Sequence, residues 1–202
     1  MTPDFIREAL DTLGARDRDI AQGIELVGYP EPRNREPGFR ALLDIIVAQQ
    51  VSASAAKAIR GRLSEAVDPF TPDQFLTLDD DALRAVGLSW RKIEYGRGLA
   101  EEMRSGRLDA ERLSDASDED VIEALTALRG IGRWSADIYM LSALRRADVW
   151  PAEDLAIQEA LRRLKGLEER PARAASEEIV EHWRPWRGIA ALFLWHYYQG
   201  AP

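Results

Sequence analysis

The feature that most constrains this chain is a pair of glycines, Gly130 and Gly132, between two segments with the hydrophobic spacing of helices. Glycine in a short turn allows backbone angles and close approach that a side chain would block. A tight turn before a helix aims the free N–H groups of its first turn at an anion. The same G-x-G pattern is also typical of a helix C-cap followed by a turn. The segment Leu128–Asp137 therefore predicts a helical hairpin, with anion binding and simple capping as the two interpretations.

Nearly every other segment also has a helical pattern, and none alternates in the manner of a β-strand. Capping residues and hydrophobic spacing place the helix starts near Phe39, Ser52 or Ser54, Thr71, Asp79 or Asp80, Ser89, Ser117, Arg133, Glu153 or Asp154, after Ser176, and after Pro185. The helix from Arg133 is expected to reach Leu144, and residues 1–40 to mix helix with an irregular wrap. The fold class predicted is all-α.

Composition narrows the chemistry. The absence of cysteine excludes disulfides, thiolate chemistry and a cysteine-ligated iron–sulfur cluster. The two histidines, His182 and His196, are far apart in sequence, so we expect no metal site. The N-terminus is not a signal peptide and no apolar stretch has the length of a membrane span, which predicts a cytoplasmic protein without a membrane partner.

Charge is unevenly distributed. The net charge is −8, which argues against strong non-specific nucleic-acid binding. Residues 109–123 carry seven acids and one arginine, whereas residues 129–146 carry four arginines and one acid. Residues 84–107 carry six bases and three acids. Such a chain can still present one basic face, with modest affinity that falls steeply with salt.

Four stretches together resemble the helix-hairpin-helix DNA glycosylases, most closely the alkylpurine (3-methyladenine DNA glycosylase II) branch. They are Ile45-Ile46-Val47-Ala48-Gln49-Gln50-Val51-Ser52 with Ala55-Ala56, Gly87-Leu88-Ser89-Trp90-Arg91-Lys92 with Leu99-Ala100, the hairpin with Asp154, and Trp186-Arg187 leading to Ala190-Ala191 and Leu194-Trp195. The resemblance spans roughly residues 39–198.

That resemblance implies a single glycosylase unit over residues 1–202, made of two helical lobes with a cleft between them. One lobe comprises about 40–110 and the hairpin region to about 145, and grips DNA. The other comprises 1–39 and about 146–202. The chain is too short for the extra N-terminal β-rich domain that some members of the branch carry.

Asp154 is the candidate catalytic residue, since it lies 20 residues after Trp134, where relatives keep their carboxylate. Breaking an N-glycosidic bond develops positive charge on the sugar, which a fixed carboxylate stabilises while it orients the attacking water. The alternative is a helix N-cap, a favoured role of aspartate, and both roles are compatible. Glu153 is the neighbouring competitor.

Trp134 stands where members that also cut the DNA backbone place a Schiff-base lysine. We therefore expect simple hydrolysis that leaves an abasic site, without lyase activity. Electron-rich indoles suit a cationic alkylated base. The base-pocket candidates are Trp134, Trp186 and Tyr139, with Ile138 where some relatives carry a tyrosine. Aromatics at helical spacing, Tyr139 and Trp195 above all, are also typical of a core.

The resemblance assigns DNA-backbone binding to the hairpin, namely Arg129, Gly130, Ile131, Gly132, Arg133 and Ser135. Arg129 replaces the proline frequent in relatives. Trp90, which follows Ser89 at a predicted helix start, is the wedge candidate for the gap that a displaced base leaves. A staple-like packing role is its alternative. Gln49 and Gln50 either support a loop, touch DNA or do neither.

The predicted partner is double-stranded DNA containing alkylated bases, and the predicted activity is base excision of 3-methyladenine- and 7-methylguanine-type lesions. We expect a monomer, associated with the nucleoid when acting, with no cofactor apart from a monovalent cation that relatives hold at the hairpin. The alternatives are a non-catalytic helix-hairpin-helix module, a glycosylase for oxidised or mismatched bases, and a helical protein with accidental motifs.

Overall fold

The computed structural model describes residues 1–201, which contain thirteen α-helices, one short 3₁₀ helix and no β-strand. The helices are α1 Pro3–Gly14, α2 Arg18–Val27, α3 Phe39–Ala48, α4 Ala53–Ala66, α5 Pro72–Thr77, α6 Asp80–Val86, α7 Trp90–Arg104, α8 Ala110–Asp115, α9 Asp118–Thr126, α10 Arg133–Ser142, α11 Leu155–Lys165, α12 Arg173–Ile179 and α13 Arg187–Gly200, with the 3₁₀ helix at Glu181–Trp183. The all-α class predicted from the sequence is confirmed.

Polar caps explain why the predicted helix starts were accurate. Ser52, Thr71, Asp79, Ser89 and Ser117 each accept a hydrogen bond from the backbone N–H three residues later. Each cap satisfies a donor that has no partner within its own helix. Replacing such a cap by alanine typically destabilises a protein by about 1 kcal/mol.

Two helix boundaries and one whole helix differ from the sequence prediction. The helix expected to reach Leu144 ends at Ser142. The helix expected after Ser176 begins at Arg173, so Ser176 lies inside α12 and is fully buried. Its hydroxyl accepts the indole N–H of Trp150 at 3.2 Å, so this serine serves as a core hydrogen-bond partner and not as a helix start. The sequence pattern also does not predict α8, because the acidic run obscures its few apolar positions.

The described residues form two compact units. The first comprises residues 1–34 and those from 140 onward. In it α11 packs against α13 and α1 against α2. Its core is formed by buried side chains of these helices and of the 3₁₀ helix, including Ile6, Leu10, Leu13, Ile157, Leu161, Trp183, Ile189 and Phe193.

The second unit comprises residues 35–139 and contains α3 to α9. Its centre is α3, which packs against α4 and α7, while α5 packs against α7. The ring of Phe39 meets that of Phe75 edge-on, with centroids 5.6 Å apart. The periodic apolar face predicted for this segment is confirmed, since Leu42, Leu43 and Ile46 are buried.

Asp17 organises the polar interior of the first unit. It caps α2, and its carboxylate accepts hydrogen bonds from Lys165 Nζ at 2.6 and 2.7 Å and from Trp183 Nε1 at 2.6 Å. His182 Nε2 lies 3.0 Å away. Burial favours the neutral acid, but the hydrogen bonds from Lys165, Trp183 and His182 outweigh it and lower the pKa of Asp17 to about 2.

We expect this network to stabilise the protein in a pH-dependent manner. The folded-state pKa of Asp17, about 2, lies below its ordinary value of 3.8, so the stabilisation is present above pH 3.8 and is lost as pH falls toward 2. The shift corresponds to about 2 kcal/mol at neutral pH. Urea unfolding of wild type and Asp17→Asn measures it. The difference in free energy of unfolding should shrink between pH 6 and pH 2.5, and a constant difference would contradict this account.

Candidate active site

The hairpin is a tight turn between α9 and α10. Gly130 has a φ of +88°, in the left-handed region, and the N–H of Ile131 donates to the carbonyl of Leu128 at 3.1 Å. Ile131 is 4% exposed and anchors the turn in its unit. The carbonyl of Gly132 accepts the N–H of Ala136 at 3.1 Å, which starts α10 immediately after the turn. The predicted helical hairpin is confirmed.

The two glycines of the turn differ in what a side chain at their position would meet. A Cβ at Gly130 would lie 2.2 Å from ring atoms of Tyr95, and its positive φ is itself unfavourable for other residues. A Cβ at Gly132 would meet nothing within 4 Å. The unusual backbone angle and the close approach expected of a turn glycine are therefore confirmed at Gly130, whereas at Gly132 no other part of the chain approaches. Gly132 instead leaves an open surface at the start of α10.

Gln49 braces the hairpin from α3. Its Nε2 donates to the carbonyl of Gly130 at 2.8 Å and contacts the hydroxyl of Ser135 at 3.0 Å. Lys92 Nζ in turn donates to the carbonyls of Val47 and Gln49 at 2.7 and 2.8 Å. Sequence reasoning left Gln49 open among three roles and did not identify Lys92. The structure selects loop support, because one amide holds both sides of the turn.

The hairpin arginines are engaged within the chain. Arg129 pairs with Glu94, and both side chains are largely exposed. Arg133 Nε donates to Asp137 at 2.8 Å, and that carboxylate is 2% exposed. An exposed pair contributes at most about 1 kcal/mol, so Arg129 can exchange Glu94 for a phosphate at small cost. Arg133 differs from Arg129 because its carboxylate partner is buried, so its ion pair is less screened by solvent.

The wedge candidate Trp90 is 60% exposed at the first position of α7. The Arg84 guanidinium lies 5.3 Å from its ring centroid, and Ser89 caps the helix by accepting the N–H of Lys92. An exposed indole beside a cation at a rigid helix start is suited to stacking on bases. The exposure expected from the sequence is confirmed, and the wedge role stays a prediction.

The four pocket candidates lie in different environments. Trp134 and Ile138 are half-buried on α10. Tyr139 is fully buried and its hydroxyl accepts the N–H of Gly38 at 3.1 Å, which is the environment of a core residue. Trp186 precedes α13 and meets Phe5 edge-on, with ring centroids 5.5 Å apart. Their assignment to a base pocket stays a prediction.

Asp154 caps α11. Its Oδ1 accepts the backbone N–H groups of Ala156 and Ile157, each at 3.0 Å, and the indole Nε1–H of Trp195 at 3.2 Å. The residue is 9% exposed. The neighbouring competitor Glu153 is exposed, and its Oε1 accepts a hydrogen bond from Arg173 Nη1 at 3.2 Å at the surface. The capping interpretation is thus confirmed, and it holds the carboxylate at a helix N-terminus, where negative charge is stabilised.

The loop of residues 143–154 that leads to Asp154 is fastened at several points. Arg187 binds both oxygens of Asp148 in a bidentate pair at 3.0 and 2.9 Å. Gln158 Nε2 donates to the carbonyl of Ala152 at 2.7 Å, two residues before the capping aspartate. Groups that act on a reacting centre need such support, since a misplacement of about 1 Å can cost 10²-fold in rate.

Two residues next to Asp154 escaped sequence reasoning. Trp195 had the interpretation of a core residue, whereas its indole N–H reaches Asp154 and its ring carries the Arg33 guanidinium 5.0 Å from the centroid. Leu155 is 61% exposed beside the carboxylate, an unusual position for a large apolar side chain. No sequence signal marks either, because both depend on contacts or exposure set by the fold.

Comparison with known proteins identifies the family. The model of the HhH-GPD superfamily of base excision DNA repair proteins matches residues 43–185. The DNA-3-methyladenine glycosylase 1 of Schizosaccharomyces pombe is 34% identical over 194 residues, which cover 91% of this chain and 83% of that protein. The chain belongs to the HhH-GPD superfamily. The resemblance inferred from its sequence motifs is confirmed.

Solved structures of HhH-GPD-type glycosylases share the fold. The 3-methyladenine DNA glycosylase of Schizosaccharomyces pombe, in complex with abasic DNA, superposes with a TM-score of 0.87 at 32% identity, covering 93% of this chain and 95% of that one. The DNA-3-methyladenine glycosidase of Bacillus halodurans superposes with a TM-score of 0.80 at 36% identity, covering 94% and 88%. The HhH-GPD match includes both the hairpin and Asp154.

Neither metal-site geometry nor a membrane helix is found in the part of the chain that the structure describes. Across residues 1–201 no three His, Asp or Glu side chains are grouped as metal ligands would be. Among the same residues no helix combines the length and apolar character needed to cross a bilayer. The cation expected at the hairpin with DNA stays a prediction.

Proposed function

We propose that this HhH-GPD protein is a monofunctional DNA glycosylase that hydrolyses the N-glycosidic bond of N3- and N7-alkylated purines. The observation that carries the proposal is the carboxylate of Asp154, which two backbone amides and the Trp195 indole hold at the start of α11. Similarity to 3-methyladenine glycosylases over most of the chain supports the substrate class.

Asp154 supplies the electrostatic part of the reaction. As the bond to the base breaks, positive charge develops on the deoxyribose, and a carboxylate whose position is already fixed stabilises it without reorganisation. The same group orients the attacking water and takes up its proton. The products are the free base and an abasic site.

Because the leaving base is cationic, the protein needs few specific contacts to that base. Alkylation at N3 or N7 gives the purine a positive charge, which weakens its bond to the sugar and favours contact with an electron-rich indole. Trp134, half-buried on α10, supplies such a surface. The proposal therefore predicts a broad range of alkylated purines.

The hairpin holds the DNA backbone. Its open surface at Gly132, followed directly by the N-terminus of α10, suits a phosphate oxygen that accepts backbone N–H groups. Binding through amides needs few basic side chains, which reconciles DNA binding with a net charge of −8. We expect the affinity to weaken with salt.

We expect no lyase activity, because no lysine stands at position 134 and two of the three lysines are engaged elsewhere, while the third, Lys57, lies on α4. Position 134 holds tryptophan, Lys92 donates to two carbonyls at the end of α3, and Lys165 pairs with Asp17. A Schiff base requires an accessible, deprotonated amine. Borohydride trapping on abasic DNA should yield no covalent complex, and a trapped species would remove the monofunctional assignment.

The decisive test is base release. Purified protein is incubated with duplex DNA methylated by dimethyl sulfate, and released bases are separated by chromatography. We expect 3-methyladenine and 7-methylguanine, with no release of 8-oxoguanine from a matched duplex. Salt-sensitive DNA binding without any released base would favour the non-catalytic module instead.

Trp90→Ala should weaken binding to a duplex containing an abasic-site analogue by about tenfold, because stacking of one aromatic on bases contributes about 1–3 kcal/mol. Fluorescence anisotropy at fixed salt measures the affinity. Leu26→Ala is the matched control, since Leu26 is 57% exposed on α2 and has no proposed contact with DNA. Equal affinities of wild type and Trp90→Ala would contradict the wedge role of Trp90.

A further inference from the structure

We propose that Trp195 is a positioning residue for the reaction, acting through a hydrogen bond from its indole N–H to Asp154, with Arg33 holding the indole in place. This inference rests on the proposed function of Asp154. It assigns a task to a side chain that sequence patterning places in the core.

The hydrogen-bond geometry is the first support. Oδ1 of Asp154 accepts three donors, two from the backbone of α11 and one from Trp195 on α13. The two amides belong to the aspartate's own helix and fix where Oδ1 lies. The third donor comes from a different helix, so it ties the position of Oδ1 to α13 as well as to α11. Because a carboxylate is planar, the position of Oδ1 also sets where the second oxygen points.

The setting of Trp195 is the second support. The residues before it on α13, from Gly188 to Leu194, are buried, so its backbone is firmly held. The guanidinium of Arg33 lies over its ring, 5.0 Å from the centroid. A cation stacked on an indole restrains the ring and polarises its N–H toward a stronger donor. Arg33 thus acts on Asp154 through Trp195.

The structure contains its own matched control. Trp183 donates its indole N–H to Asp17, which likewise caps a helix, at 2.6 Å. Asp17 also binds Lys165 and serves the interior of the unit. Removing the indole N–H of Trp195 or of Trp183 therefore takes one hydrogen bond from a capping aspartate in each case. Only Asp154, the partner of Trp195, has a proposed role in the reaction.

The experiment replaces the indole nitrogen by sulfur. Benzothienylalanine, introduced at position 195, keeps the ring size and stacking surface of tryptophan but has no N–H. We expect the single-turnover rate of 7-methylguanine release to fall about ten- to hundredfold, the range for losing a hydrogen bond to a charged group. Affinity for an abasic-site duplex should stay within about twofold, because no group proposed to bind DNA changes.

The contrast between rate and affinity separates positioning from folding. A change that only loosened the fold would lower the affinity for an abasic-site duplex together with the rate. Loss of the positioning bond should lower the rate while that affinity stays within about twofold of wild type.

The same replacement at position 183 should lower thermal stability and leave the rate unchanged. Arg33→Ala provides a variant that keeps the indole, and should lower the rate in the same direction by a smaller factor. A wild-type rate after the replacement at 195, or equal losses of rate at 183 and 195, would overturn the proposal. If wild type releases 7-methylguanine and Asp154→Asn does not, the proposed function stands even where the role of Trp195 is overturned.

Discussion

Asp154→Asn should reduce the release of 3-methyladenine and 7-methylguanine by about 10³-fold, the scale on which preorganised charge stabilisation acts. The developing sugar cation loses its counter-charge, and the attacking water loses its base. Asparagine is as good an N-cap as aspartate, so α11 should remain capped through Ala156 and Ile157. Thermal melting and abasic-duplex binding should therefore stay close to wild type.

Glu153→Gln is the matched control for that loss. It removes the adjacent carboxylate, which is exposed and pairs with Arg173 at 3.2 Å. An exposed pair of this kind contributes little to stability, and no step of the proposed reaction uses it. Base release by Glu153→Gln should equal that of wild type. Full activity of Asp154→Asn, or a comparable loss at Glu153, would reassign the catalytic carboxylate.

Gly130→Ala should destabilise the protein by about 2–5 kcal/mol. The positive φ contributes strain of about 1–3 kcal/mol, and a methyl group forced against Tyr95 adds overpacking of similar size. Gly132→Ala meets open space, so its free energy of unfolding should change by less than about 0.5 kcal/mol. Urea titration of the two variants measures this contrast.

DNA binding should separate the same two variants in the opposite way. The methyl group of Gly132→Ala stands where the proposed phosphate approaches α10, so affinity for duplex DNA should fall about tenfold in a protein of wild-type stability. Anisotropy at constant salt provides the measurement. Undiminished binding by Gly132→Ala would mean that the open surface does not face the DNA backbone.

Local signals account for what could be predicted from the sequence. The caps at Ser52, Thr71, Asp79, Ser89 and Ser117 act within one helical turn, so residue identity and spacing suffice to locate them. The hairpin and the cap at Asp154 are likewise local features. The family resemblance then attached chemistry to them, and the HhH-GPD match confirms that family.

Errors arose where a distant contact overrides a local signal. Ser176 looks like a cap in the sequence, but its buried hydroxyl accepts a hydrogen bond from the indole of Trp150, 26 residues away. The sequence likewise does not distinguish Gly130 from Gly132, whereas in the structure only Gly130 lies against Tyr95. Neither difference is visible in spacing, because each depends on which helix packs beside the residue.

By itself the sequence determined an all-helical chain, the hairpin at 130–132 and a capping aspartate at 154, since hydrophobic periodicity, glycine and N-caps are short-range signals. Only the tertiary structure decided that Gln49 and Lys92 brace the hairpin, and that Trp195, 41 residues beyond Asp154, donates a hydrogen bond to it. Those contacts join residues from different helices, and their partners are set by packing and not by position along the chain.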